Sequence, residues 1–183
     1  MYEVELKVPA DLERVRTRLE SLDATPEGQV VQRDTYYDAP HRSFPETDEA
    51  LRIRRESSRA TPETAARLTY KGPLVDDDSK SREEFETAVD DGETMAAVLE
   101  HLGFEAAATV RKDRERFSLE GYTVTLDSVA DVGEYVEVET DVERGADLEP
   151  ARDGAVDVLE RLGLDPDDQV RTSYLGLLLE GDP

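Results

Sequence analysis

The sequence predicts an α+β fold in which eight strands close into a barrel with a charged interior and amphipathic helices packed outside. Three observations carry this reading. Strand-like runs alternate apolar and charged residues, and successive strand side chains point to opposite faces, so each run has one apolar and one charged face. The charges also sort by sign: the first and last strands are mainly acidic, whereas the third, fourth and sixth are mainly basic. Finally, eight strands suffice to close a barrel, which removes exposed sheet edges.

The first strand, 2–8, sets the pattern. Glu3, Glu5 and Lys7 project to one side; Val4, Leu6 and Val8 project to the other. A helix over 10–22 follows, with Leu12, Val15, Leu19 and Leu22 at helical spacing. Further strands are expected at 29–38, 49–56, 65–72, 81–90, 107–119, 121–129 and 133–142. In these, Leu51 and Ile53 oppose Arg52 and Arg54, and Leu68 and Tyr70 oppose Arg67, Thr69 and Lys71. Phe85 opposes Arg82, Glu84 and Glu86; Val124 and Leu126 oppose Thr123, Thr125 and Asp127; Val136 and Val138 oppose Tyr135, Glu137 and Glu139. Glu120-Gly121 reads as a tight hairpin turn.

A second helix, 93–102, carries Met95, Val98, Leu99 and Leu102 and stops at Gly103. A third, 148–162, carries Ala155, Val158, Leu159 and Leu162, and a fourth, 170–180, carries Tyr174, Leu175, Leu178 and Leu179. The stretches 39–48, 57–64 and 73–80 read as polar loops, with Asp76-Asp77-Asp78 mobile. No linker or repeat divides the chain, so 1–183 reads as one domain.

The charged faces admit two arrangements. They can form an open, solvated sheet surface, or they can curl inward around a lumen. Segregation by sign favours the lumen, because a face that only needs hydration has no reason to sort its charges.

Composition narrows the function. The net charge is -23, and 45 acids stand against 22 bases. That acid excess with few lysines fits a protein from a salt-loaded cytoplasm, where screening makes surface carboxylates tolerable. No broad basic patch is visible, which argues against nucleic acid as a partner. Only four lysines occur, and Lys7, Lys71 and Lys112 fall on charged strand faces while Lys80 does not. Cysteine is absent, which excludes disulfides, a thiol nucleophile and a Cys-metal site. No apolar run reaches the ~20 residues that span a bilayer. The expectation is a soluble, cytoplasmic protein with no membrane partner; a homodimer is compatible with the sequence but not required by it. His41 and His101 lack a second histidine at ligand spacing and read as structural or exposed. No Ser-His-Asp set or GxxxxGK[ST] phosphate loop is present.

The ordered set Glu3-x-Glu5-x-Lys7, Asp34-Thr-Tyr36-Tyr37-Asp38, Leu51-Arg52-Ile53-Arg54 and Thr69-Tyr70-Lys71-Gly72 runs through the first half of the chain. Arg82-Glu83-Glu84-Phe85-Glu86, Lys112-Asp113-Arg114, Leu126-Asp127, and Gly133 with Glu137-Val138-Glu139 continue it. In order and spacing this set resembles the CYTH superfamily, the triphosphate tunnel metalloenzymes. It is most similar to the class IV adenylate cyclase group. One departure is local: bacterial cyclases of this class often carry a His-Phe pair before the ExExK run, where this chain has Met1 and Tyr2.

The resemblance implies an antiparallel eight-stranded tunnel whose lumen holds a triphosphate and divalent metal. Hard ions such as Mg2+ or Mn2+ prefer oxygen ligands, and Glu3, Glu5, Asp127, Glu137 and Glu139 are the implied ligands. Lys7, Arg52, Arg54, Lys71, Arg82, Lys112 and Arg114 are the implied triphosphate-binding residues, since a buried polyphosphate needs fixed cations. Lys7, Arg114 and Asp127 are assigned to the chemical step. Glu84 and Glu86 are expected to orient cations. Arg67 and Arg116 share the inward parity, whereas Arg55, Arg59 and Arg111 are expected at the surface.

Two reactions fit such a site. A cyclase would direct the ribose 3′-OH of ATP at the α-phosphate and stabilise departing pyrophosphate. A triphosphatase would direct water at the terminal phosphate of tripolyphosphate, thiamine triphosphate or a nucleotide. Tyr36, Tyr37 and Phe44 could stack on a ring. A third reading is a polyphosphate or nucleotide sensor without turnover.

Overall fold

The computed structural model describes residues 1–58, 60, 64–75, 77–143 and 145–181. Its strands are β1 (Tyr2–Pro9), β2 (Thr25–Asp38), β3 (Ala50–Ser57), β4 (Ala65–Leu74), β5 (Arg82–Val89), β6 (Glu105–Leu119), β7 (Tyr122–Val129) and β8 (Gly133–Val142). They close in the order β1-β5-β4-β3-β2-β6-β7-β8, every neighbouring pair antiparallel. The helices are α1 (Leu12–Ser21), α2 (Phe44–Thr47), α3 (Gly92–His101), α4 (Leu148–Arg161) and α5 (Tyr174–Glu180).

The parity of the sequence explains what covers the barrel. The apolar faces of β1, β7 and β8 present Leu6, Val8, Val124, Leu126, Val136 and Val138. Leu12, Val15 and Leu19 of α1 and Ala155, Val158 and Leu159 of α4 pack on them. Each such Leu or Val gains about 1.5–3 kcal/mol from leaving water. On the other side α3 sets Leu99 against Leu51 and Ile53 of β3. The β6–β7 hairpin turns where the sequence indicated: Glu120 and Gly121 both have positive φ, 52° and 87°. Two positive φ values are the demand of a turn that matches strand twist.

Several boundaries differ from expectation. Strand β2 starts at Thr25 because pairing with β6 continues through Pro26 and Gly28 by a register shift. Gly28 takes φ 107°, which only glycine adopts without strain. The stretch read as a loop over 39–48 contains α2, whose Pro45 fits the first helical turn. Helix α5 begins later than expected, at Tyr174, because Ser173 caps it by accepting from the Gly176 N–H at 3.0 Å. Ahead of it, the Val170 N–H donates to the Lys7 carbonyl at 2.8 Å. Asp76 and Arg59 lie outside the described residues, while Asp78 accepts from Arg152 at 3.1 Å. Among the described residues no helix is long and apolar enough to cross a membrane.

Candidate functional site

The charged faces of the strands point inward and line a cavity of about 710 Å³. Glu3, Glu5, Arg52, Arg54, Lys71, Arg82, Lys112, Arg114, Glu137 and Glu139 are all on its wall. Glu84, Glu86, Arg67 and Arg116 are there too. Arg55 and Arg111 are not; they pair outside with Glu93 and Asp113. His41 and His101 are exposed.

The acids gather at one place. Glu3, Glu5 and Glu139 each offer an oxygen within 4.8 Å of the others. Burial pushes the Glu139 carboxyl up to about 8, against Arg114, and the charges of Glu3, Glu137 and Glu5 add to the rise. Such a trio cannot be fully ionised without cations beside it. Two ammonium groups serve as those cations. Lys71 bonds Glu3 and lies 2.9 Å from Glu84; Lys80 lies 3.1 Å from Glu5. Burial opposes ionisation of Glu3, but Lys71 overrides it and draws the carboxyl down to about 2. Three convergent carboxylates suit a hard divalent ion, so the donor set fits Mg2+ or Mn2+.

The other two implied metal ligands sit apart from this trio. Asp127 is fully buried and takes a two-pronged bond from Arg114, with Nε to Oδ1 at 2.7 Å. The same guanidinium also bonds Glu137. Burial disfavours the charge of Glu137, yet Arg114, Lys112 and Lys7 hold it well below the usual carboxylate range. Asp127 is also absent from the cavity wall, where Tyr174 stands instead. The Tyr174 hydroxyl donates to Asp127 Oδ2 at 2.9 Å.

The cations differ in how far acids already neutralise them. Arg54 is spent on Asp34 through bonds of 2.8 and 2.7 Å. Arg82 donates to the carbonyls of Asp48 and Gly72, both at 3.1 Å. Arg52 reaches Asp34 only at 3.4 Å, and its buried Nε has no partner; the buried Nε of Arg82 is likewise unpaired. Lys112 lies 3.8 Å from its nearest carboxylate oxygen, on Asp127. Burial and Arg114 together depress the Lys112 ammonium to about 8. Lys7 is fully buried, donates to the Thr172 carbonyl at 2.5 Å and rests 4.4 Å over the Tyr174 ring. Burial, with help from Lys80, lowers it to about 7. Lys7 therefore faces inward but is screened from the cavity by the segment leading into α5.

Along the β3–β2–β6 wall the lining changes character. Tyr36, Tyr37, Ala50 and Ala107 give way to Arg54, Lys112, Arg114, Glu56 and Arg116. Ala107 is an extra residue in β6, opposite the shift between Tyr36 and Tyr37, and the bulge turns it into the cavity. Phe44 of α2 and Leu175 of α5 extend the apolar end.

Sequence reasoning missed Lys80, Asp34 and Tyr174. All four lysines of the chain prove to be inside the barrel: Lys71, Lys80 and Lys112 on the cavity wall and Lys7 behind it. The scarcity of lysine was the signal for Lys80. Asp34 stood within the quoted Asp34-to-Asp38 run without a role. Nothing local marks Tyr174, whose place depends on where the chain returns.

The comparisons with known proteins agree with this architecture. The model of the CYTH domain matches residues 1–174. A Methanocaldococcus jannaschii protein, provisionally named an adenylate cyclase, is 34% identical over 178 residues, covering 97% of this chain and 98% of its own length. The solved PH1819 protein of Pyrococcus horikoshii OT3 is 36% identical with a TM-score of 0.90, covering 97% and 98% of the two chains. HpAC1 of Hippeastrum, provisionally an adenylyl cyclase and described with a dominant triphosphatase activity, shares the fold at 17% identity and a TM-score of 0.66, over 100% and 96% of the chains. With its whole barrel matched in sequence and in shape, this chain belongs to the CYTH domain family.

Proposed function

We propose that the chain is a divalent-metal-dependent enzyme acting on a nucleoside triphosphate in the barrel lumen, of the class IV adenylate cyclase type. The observation that carries this reading is the division of one 710 Å³ cavity into an apolar end, a basic wall and an acidic trio. An inorganic triphosphate has no use for the apolar end; a nucleoside does.

Lys112, whose nearest carboxylate oxygen is 3.8 Å away, and Arg52, whose buried Nε is unpaired, bind the phosphate chain, with Lys71, Arg82 and Arg54 at its flanks. Arg114 orients Asp127 and Glu137 and faces the charge that builds as pyrophosphate departs. Glu3, Glu5 and Glu139 would hold Mg2+ or Mn2+, which supplies activation of the attacking hydroxyl and neutralises phosphate charge. Tyr36 and Phe44 offer faces on which a base can stack. Tyr174 and α5 limit water at their end of the lumen.

Incubation with ATP, tripolyphosphate and thiamine triphosphate at high salt, followed by product separation, tests the reading. Cyclic AMP plus pyrophosphate is the expected outcome, lost in excess chelator. Release of orthophosphate would make the chain a triphosphatase, and binding without turnover would make it a sensor.

A further inference from the structure

Lys80 is a lumen cation that no strand carries. It belongs to the connection between β4 and β5, yet its side chain is only 13% exposed. The connection is pinned on both sides of it. Ser79 and Ser81 are fully buried with their hydroxyls 2.6 Å apart, and the Val75 N–H donates to the Ser81 carbonyl at 2.8 Å. The Lys80 N–H donates to the Glu5 carbonyl at 3.1 Å, so the connection continues the pairing of β1 where β5 stops. Backbone and side chain of Lys80 thus both engage Glu5.

The stem is free to re-aim while its backbone stays fixed. A lysine ammonium is a point charge on four flexible carbons. Lys80 lines the cavity, and its charge is felt by both Lys7 and Glu137. Lys7 and Lys112, by contrast, lie against the Tyr174 ring at 4.4 and 4.9 Å. A carboxylate that gives its charge to a dication holds an ammonium less strongly. A triphosphate entering the same cavity supplies new acceptors.

We propose that Lys80 is a substrate-binding residue held in reserve: it neutralises Glu5 until a divalent ion takes that carboxylate, then turns to the triphosphate. This rests on the reading of Glu3, Glu5 and Glu139 as the ion site. It makes the stretch 79–81 ahead of β5 part of the active site and couples ion loading to substrate binding.

The test uses the full chain at fixed high salt with Mn2+ alone, and then with a non-hydrolysable ATP analogue at saturating Mn2+. In Lys80→Met, Mn2+ alone should bind more tightly, because a competing cation is gone. The analogue should bind roughly 10- to 150-fold more weakly, the loss of one charge-assisted bond to phosphate. Lys80→Arg should retain most analogue affinity. Unchanged analogue affinity in Lys80→Met would reduce Lys80 to a counter-ion of Glu5 and overturn the proposal. Failure of the underlying site reading has a separate signature: Glu139→Gln would bind Mn2+ as the wild type does. A second measurement needs only wild-type protein for its titration. With four lysines in the chain, ¹⁵N-lysine spectra resolve each ammonium, with Lys80→Arg as the assignment. The Lys80 signal should move on adding Mg2+ and again on adding the analogue. A Lys80 signal indifferent to the analogue would also overturn the idea.

Discussion

Glu5 and Glu139 are direct register partners on β1 and β8, both turned into the lumen. Ionised together, they are like charges directly opposite each other, which destabilises a strand pair. An arrangement that costs stability in the free protein is a reason to look for the cation it serves.

That relationship sets a pH dependence. The Glu139 carboxyl is pushed up to about 8 by burial, with the neighbouring acids adding to it. Below that pH a proton must leave before an ion can bind. Mn2+ affinity should therefore rise with pH from 6 toward 8 and then level, by about one decade per unit on the sloping part. Glu139→Gln should flatten the profile and lower its plateau. Titration calorimetry checks both; a flat wild-type profile would remove Glu139 from the ion site.

Lys112 and Arg114 lie two residues apart, but their loss should read differently. Arg114→Met strands Asp127 and Glu137 as buried carboxylates and should cost about 3–5 kcal/mol of stability. Lys112→Met strands no close partner, since the nearest carboxylate oxygen is 3.8 Å away. In the fold the Lys112 ammonium is depressed to about 8, below its ordinary value. The unfolded chain therefore holds that proton more tightly near neutral pH, and removing the charge should not destabilise the fold. Its effect should fall on triphosphate affinity, weakened roughly 10- to 150-fold. Urea unfolding and analogue binding, measured on both variants, separate the two roles.

Gly154 in α4 sits against Tyr122, whose hydroxyl donates to the Ala151 carbonyl at 3.0 Å. A Cβ at 154 would run into that hydroxyl and lie 2.8 Å from the ring carbon bearing it. Alanine normally improves a helix by about 1 kcal/mol over glycine. Here overpacking should win, and Gly154→Ala should destabilise by about 1–3 kcal/mol. Adding Tyr122→Phe should restore part of the loss. A more stable Gly154→Ala would show that the ring yields freely.

Period-two alternation made the barrel readable, because charged or polar residues facing inward alternate with apolar residues facing outward along most of β1, β3, β4, β7 and β8. The same parity placed the lumen residues from Glu3 to Glu139. It could not reveal which cations are already spent. Arg54 and Arg52 look alike in Leu51-Arg52-Ile53-Arg54, yet only Arg54 is held two-pronged by Asp34. Nor could it separate Asp127 from the acidic trio, since that depends on Arg114 reaching across from β6 to β7. The start of β2 was hidden because Pro26 and Gly28 carry turn composition while the register absorbs them. The interior place of Lys80 comes from a connection that replaces a missing stretch of strand.

That missing stretch gives the hoop a clasp. Strand β1 pairs with β8 from Tyr2–Val142 to Pro9–Tyr135, but with β5 only at Tyr2–Glu83 and Glu3–Arg82. Beyond these, the join passes to the Lys80 amide and to ion pairs that Lys71 and Lys80 make with β1. Openings below the global transition start where backbone bonding is thinnest. The Lys80 amide should therefore exchange its hydrogen well before those in the long β2–β6 ladder. Glu3 and Glu5 sit on the clasp but share the ion site with Glu139 of β8, so the clasp should be riveted shut when a triphosphate also joins Lys71 or Lys80 to that ion, and the protection it confers should be concentrated there.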